Sequence, residues 1–239
     1  MKLSLILVLT QAALISNLAA QPVNATASLQ GVVSDGPKQL SNVHVTYTRE
    51  LAKPGDATPM MFGTLTDAKG QFSFSGLISG SYVLCAVANP DLSLVPTCKF
   101  TMSPQKVTIA TGQAVSGVKI AMQKGTRLEF RVDDPFRLLS APTVPNPDKS
   151  VFVGVQSVEK LIHSATLDSR DVLGLNYYII VPHGKPLTAR IQGQNVDVLD
   201  ASGTLAEQST NTKNPFAFQA GDSSLRLGYS VVHKKVGGK

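Results

Sequence analysis

Thr64-Leu65-Thr66-Asp67-Ala68-Lys69-Gly70-Gln71-Phe72-Ser73-Phe74 reads as two strands joined by a tight turn. Asp67 and Gly70 are turn residues, and Gly70 is free to take the positive φ that closes such a turn. Phe72 and Phe74 are two apart, so both rings lie on one face of the second strand. Working outward, residues 76–80 form the next turn, and residues 82–88 a strand with Tyr82 and Leu84 facing one way. Upstream, Val43, Val45 and Tyr47 alternate with Asn42, His44 and Thr46, the pattern of a half-buried strand. Residues 27–33 form an apolar run ahead of the turn Ser34-Asp35-Gly36-Pro37, and a Pro- and Gly-bearing loop at 52–59 leads into residues 61–66. Downstream, residues 107–109 and 115–122 complete the set. About seven strands within under a hundred residues is the count of a small β-sandwich.

The spacing of these residues resembles the carboxypeptidase regulatory-like domain. The matching elements are Leu29-Gln30-Gly31-Val32-Val33, Leu40-x-Asn42-Val43-x-Val45, Thr64-x-Thr66-Asp67-x-x-Gly70-x-Phe72-x-Phe74-x-x-Leu77 and Gly80-x-Tyr82-x-Leu84. The resemblance covers residues 28–124 and departs at Ser79, where the family usually carries Pro. It implies a transthyretin-like seven-stranded sandwich that performs no chemistry of its own and sits beside other domains in exported and surface proteins.

After Gly125 the pattern restarts. Leu128, Phe130 and Val132 alternate with Arg127, Glu129 and Arg131, a strand with one wet face. Residues 133–149 hold four prolines and read as an irregular connection. Strands are expected at 151–155, 175–181, 187–191, 196–199, 216–218 and 225–232. Residues 157–167 lack an apolar stripe and read as strand rather than helix. The fold class is therefore all-β: two small β-sandwich domains in tandem after a signal peptide. Their spans are 1–20 for the signal peptide, 28–124 and 126–232 for the sandwiches, and 233–239 for a flexible basic tail.

The export reading rests on Lys2, the apolar run 3–9 and the small pair Ala19-Ala20 before Gln21. Gln11, Ser16 and Asn17 interrupt this stretch, which falls short of the ~20 apolar residues that span a bilayer. No transmembrane segment is expected once the signal is cleaved, and the mature chain is expected to be secreted, periplasmic or extracellular. Cys85 and Cys98 are the two cysteines, and an oxidising compartment lets them pair as a disulfide. The net charge of +6 is spread over both halves, which disfavours nucleic acid as a partner.

No catalytic constellation emerges, so the chain is expected to be no enzyme and to need no cofactor or metal. His44, His163, His183 and His233 lie far apart and form no H-x-x-x-H pair. Ser157-x-x-Lys160 and Ser103-x-x-Lys106 lack the companion motifs of S-x-x-K nucleophiles, and Gly221-Asp222-Ser223 reads as a turn. Asp133-Asp134 and Asp168-x-x-Asp171 fall in expected connections without calcium-loop spacing. The function expected is an exported structural and interaction module that binds an envelope or extracellular protein partner through loops or strand edges. Carbohydrate binding is the alternative, with Tyr177 and Tyr178 as candidate residues because adjacent strand positions face opposite ways and one ring then faces out. A second alternative is an accessory subunit of an exported hydrolase.

Overall fold

Alternating apolar side chains drive the chain into paired sheets in both halves. The computed structural model describes residues 26–50, 61–100, 104–141, 144–145 and 148–234. The signal reading, the 52–59 loop and the tail from residue 235 onward lie outside the described residues.

The first half comprises β1 (Ala27–Asp35), β2 (His44–Arg49), β3 (Met61–Leu65), β4 (Gln71–Leu77), β5 (Gly80–Val87), β6 (Gln105–Ile109) and β7 (Ala114–Ala121). One sheet has the order β4-β1-β7, with β1 antiparallel to β4 and parallel to β7. The other has the antiparallel order β3-β2-β5-β6. Leu29, Val33, Phe72, Phe74 and Ile120 from the first sheet meet Val45, Tyr82, Leu84 and Ala86 from the second in one buried cluster. Tyr47 sits among the rings, edge-on to Phe74 at 4.7 Å and to Tyr82 at 5.5 Å. This is the seven-stranded sandwich expected from the sequence.

Each residue of the turn that decides the fold has a visible task. Thr66 is buried; its Oγ1 donates to the Leu40 carbonyl at 2.6 Å and accepts from the Val43 amide at 2.9 Å, stapling the turn to the start of β2. The Asp67 Oδ1 accepts from the amides of Lys69 and Gln71, both at 2.8 Å. Gly70 takes φ +68°, where a side chain is strained. Gly31 answers a different need: a Cβ there would lie 2.4 Å from the Val118 carbonyl and 2.5 Å from the Phe72 ring, so the aromatic packs flat against bare backbone. The Tyr82 hydroxyl donates to the Ile78 carbonyl at 2.6 Å, pinning the turn before its own strand.

The second half comprises β8 (Gln123–Asp133), β9 (Ser150–Ser157), β10 (Ile162–Ser164), β11 (Thr166–Asp171), β12 (Gly174–Pro182), β13 (Leu187–Gln194), β14 (Val196–Asp200) and β15 (Leu225–His233). One sheet runs β11-β12-β8-β15-β14, with β8 parallel to β15, and the other runs β10-β9-β13. Leu128, Phe130 and Val132 of β8 pack against Val153, Val155, Ala189 and Ile191 in a second buried cluster.

Residues 157–167 are a turn followed by β10 and the start of β11, strand rather than helix as expected. Other expectations change. Residues 216–218 form no strand; Phe216 makes an isolated bridge to Leu187. Asp168 and Asp171 stand on β11 rather than in a connection, because Arg127 and Arg131 on the wet face of β8 hold them. Asp134 is buried, its carboxylate accepting from the amides of Leu138 and Leu139 at 2.7 and 2.9 Å. His233 is the last residue of β15, paired with Val196, so it belongs to the sheet and not to the tail.

Replacing Thr66 by Val keeps the shape and strands the Val43 amide and the Leu40 carbonyl. The expected cost is about 2 kcal/mol in urea unfolding, whereas Thr66→Ser, which keeps the hydroxyl, loses less.

Candidate interaction surfaces

Among the described residues, the outer face of strands β3, β2 and β5 presents no Lys, Arg, Asp or Glu. Register pairs Met61 with Thr48, Gly63 with Thr46 and Leu65 with His44 across β3 and β2, and His44 with Val87 across β2 and β5. These positions share the side of the sheet opposite buried Val45 and Leu84. β3 is the edge strand, and its Met61, Phe62 and Leu65 are 69%, 47% and 60% exposed. Edge strands are usually guarded by charged residues, proline or a bulge. The β3 sequence Met-Phe-Gly-Thr-Leu contains no charge and no proline, and its pairing with β2 is regular throughout.

The corresponding edge of the second sandwich is built differently. β11 is exposed along its length, but it carries Asp168, Arg170 and Asp171. Arg127 pairs with Glu129 and Asp168, and Arg131 with Asp133 and Asp171. The Asp171 carboxyl, hydrogen-bonded by the Arg131 guanidinium, is held down to about 2. Arg226 adds a hydrogen bond to Asn176 at 3.0 Å. This charged lattice makes β11 a guarded edge.

Tyr177 and Tyr178 do face opposite ways. Both are half-buried and packed against the second core. Burial pushes the Tyr177 hydroxyl up. The face of Tyr178 is covered by the Arg127 guanidinium, 4.3 Å from the ring centroid. That face of the ring is therefore not open to a sugar.

The histidines stay apart: His44 on the outer face of β2, His183 in a turn with Nε2 3.1 Å from Thr126 Oγ1, and His233 5.8 Å from the Phe136 ring. Among the described residues, no three His, Cys, Asp or Glu side chains gather as metal ligands. Ser157 and Lys160 lie in a turn closed by the Lys160 amide on the Ser157 carbonyl, and Asp222 closes a second turn by accepting from the Gln219 amide. Ser103 lies outside the described residues. No described helix is long and apolar enough to cross a membrane.

The two sandwiches join through the segment that follows β5. Cys85 and Cys98 form a disulfide with Cα atoms 5.3 Å apart, as expected from the sequence. Inside that loop, Leu94 and Val95 pair with Lys124 and Gln123 at the start of β8. Successive strand side chains point opposite ways, and here Leu94 enters the first core while Val95 enters the second. Just past the disulfide, Phe100 is buried in the second core with its ring centroid 4.1 Å from that of His163. Lys99 Nζ donates to the Ser164 carbonyl at 2.9 Å, and Lys185 Nζ to the Phe100 carbonyl at 3.2 Å. No alternation rule flags this seam, because it is built from a loop.

His163 is the strained member of the seam. Its Nε2 is buried and has no hydrogen-bond partner among the described residues. Burial, and then the neighbouring Lys99 charge, hold its pKa below the ordinary value, with Glu159 opposing.

No family model matches the chain, and no curated protein does. Among solved structures it is similar to the Bacillus anthracis TIE protein, at 13% identity and a TM-score of 0.33, over 88% of this chain and 34% of that one. It is also similar to a streptococcal ancillary pilin, at 13% identity and a TM-score of 0.39, over 86% of this chain and 63% of that one. A third likeness is to the shaft pilin SpaA from Lactobacillus rhamnosus GG, at 12% identity and a TM-score of 0.30, over 88% and 98% of the two chains. The chain thus spans about a third of the first protein and under two thirds of the second. Likenesses this distant carry no argument about what the chain does.

A histidine whose folded pKa is depressed contributes stability that is complete above its unfolded value and lost as pH falls through the folded one. The ordinary value is 6.5, so wild type is expected to lose unfolding free energy as pH falls through that value and below it. His163→Phe, which keeps a ring against Phe100 and cannot ionise, is expected to lose less over the same interval in urea titrations. Equal slopes for the two proteins would remove His163 as the cause.

Proposed function

We propose that this chain is an exported, non-catalytic interaction module that takes an extended segment of a protein partner along the β3 edge. The observation that carries the reading is the edge itself: a regular, uncharged outer strand with three exposed apolar side chains, where the β11 edge of the second sandwich is covered in ion pairs. Strand addition uses main-chain hydrogen bonds for affinity and alternate side chains for specificity. Met61 and Leu65 point to one side of the sheet and Phe62 to the other, so both faces of an added strand would meet apolar groups.

Two further features support the reading. The resemblance of residues 28–124 to carboxypeptidase regulatory-like domains implies a sandwich that leaves chemistry to its neighbours. The Cys85–Cys98 disulfide suits an oxidising, exported setting, in keeping with the signal peptide read in residues 1–20.

The test compares the mature chain with a Met61→Lys/Leu65→Lys double variant, immobilised and exposed to an envelope extract from the producing cells. Both side chains are exposed, so the variant is expected to keep the wild-type melting profile. Wild type is expected to retain a discrete protein that the variant loses. Retention of the same proteins by a folded variant would overturn the assignment of the edge.

A further inference from the structure

We propose that the cleft between the two sandwiches binds a small polyanion, a compact molecule carrying two or more phosphate, sulfate or carboxylate groups, through Lys99, Lys119 and Lys185. The cleft has a volume of about 510 Å³, within the range of small-molecule sites, which favour the junctions between domains. Its three lysines come from separate parts of the chain: Lys99 beside the disulfide, Lys119 on β7, and Lys185 on the connection between β12 and β13. Thr97, Gln105 and Gln123 add hydroxyl and amide donors. Among the described residues, no Asp or Glu lines the cleft.

The ion pairing elsewhere makes this concentration of charge informative. Lys106 pairs with Glu50, Lys124 with Asp35, and the arginines of β8 with four carboxylates. Lys99, Lys119 and Lys185 have no ion-pair partner among the described residues. Two of them are held in place all the same, since Lys99 and Lys185 each donate to a backbone carbonyl across the seam. An ammonium has three N–H donors, so each keeps two to offer. The Lys99 ammonium is also partly desolvated, and burial lowers its pKa. A partly desolvated charge without a counter-charge is costly, and an oxyanion in the cleft would supply one. Glu159 lies close enough to feel Lys185 but does not line the cleft.

Charge and volume together define the ligand class. Three cations call for more than one anionic group, and the volume of the cleft sets a limit on size. An extended polymer would need a basic track beyond the cleft, and the charge of the chain is not gathered that way. This site is independent of the β3 edge, so either can fail alone.

The test is calorimetric titration of the mature chain with pyrophosphate, citrate and, at matched ionic strength, sodium chloride. Saturable binding of pyrophosphate or citrate near one per chain is expected, with no counterpart for chloride. Whichever of the two binds more tightly identifies the head group. Lys119→Met, at an exposed position on β7, is expected to weaken that binding on the order of tenfold. Lys106→Met, whose side chain pairs with Glu50 and does not line the cleft, is expected to leave it unchanged. Heat no larger than that of the chloride control, or equal affinity in the Lys119→Met protein, would overturn the proposal.

Discussion

In each sandwich the first strand lies inside a sheet, antiparallel to one neighbour and parallel to the last strand of the same unit. β1 pairs with β7 in this way, and β8 with β15. Neither central strand has both its neighbours until the whole unit has been laid down, since β7 follows β1 by some eighty residues and β15 follows β8 by more than ninety. Such a pairing contributes only after the loop-closure entropy between its partners has been met. The antiparallel hairpins are local and form their contacts early in the chain. The parallel pairing is what turns them into closed sandwiches with interior faces, so the cores, the edges and the seam depend on it.

The seam follows from how tightly the two units are spliced. Met122, which is buried in the first core, is the single residue between β7 and β8. A junction this short keeps the sandwiches in contact, and the loop after β5 packs into both cores. Leu94 and Val95 divide between the two cores as a consequence of strand alternation, while the disulfide holds the loop that carries them. The same crowding places Lys99, Phe100, His163 and Lys185 together. It also explains why a ring nitrogen is left without a partner: His163 packs as a hydrophobic plate against Phe100, and the Lys99 and Lys185 ammoniums are turned to backbone carbonyls rather than to the ring.

The β11 and β3 edges illustrate opposite solutions to one problem. β11 presents alternating charges tied to arginines on β8, a lattice that resists pairing with another chain because the charges would have to be desolvated. β3 presents methionine, phenylalanine and leucine with no such protection. An unguarded edge of this kind is a hazard for a free protein and an asset for one that receives a partner strand.

Much of this was legible from residues alone. Period-two alternation located the seven strands of the first sandwich and most of the second, because burial of one face leaves that imprint wherever a strand covers a core. The Thr66-Asp67-x-x-Gly70 turn and the paired phenylalanines were readable for the same reason: their roles are discharged within a few residues. Cys85 and Cys98 were paired by elimination. Only the tertiary structure decided that Asp168 and Asp171 belong to a charged edge strand, that Phe216 makes a bridge rather than a strand, and that Arg127 covers Tyr178. It alone brought Lys99, Lys119 and Lys185 to one cleft and His163 onto Phe100. These arrangements depend on side chains that meet across long stretches of chain, and local periodicity records which face a residue occupies but not which distant residue it faces.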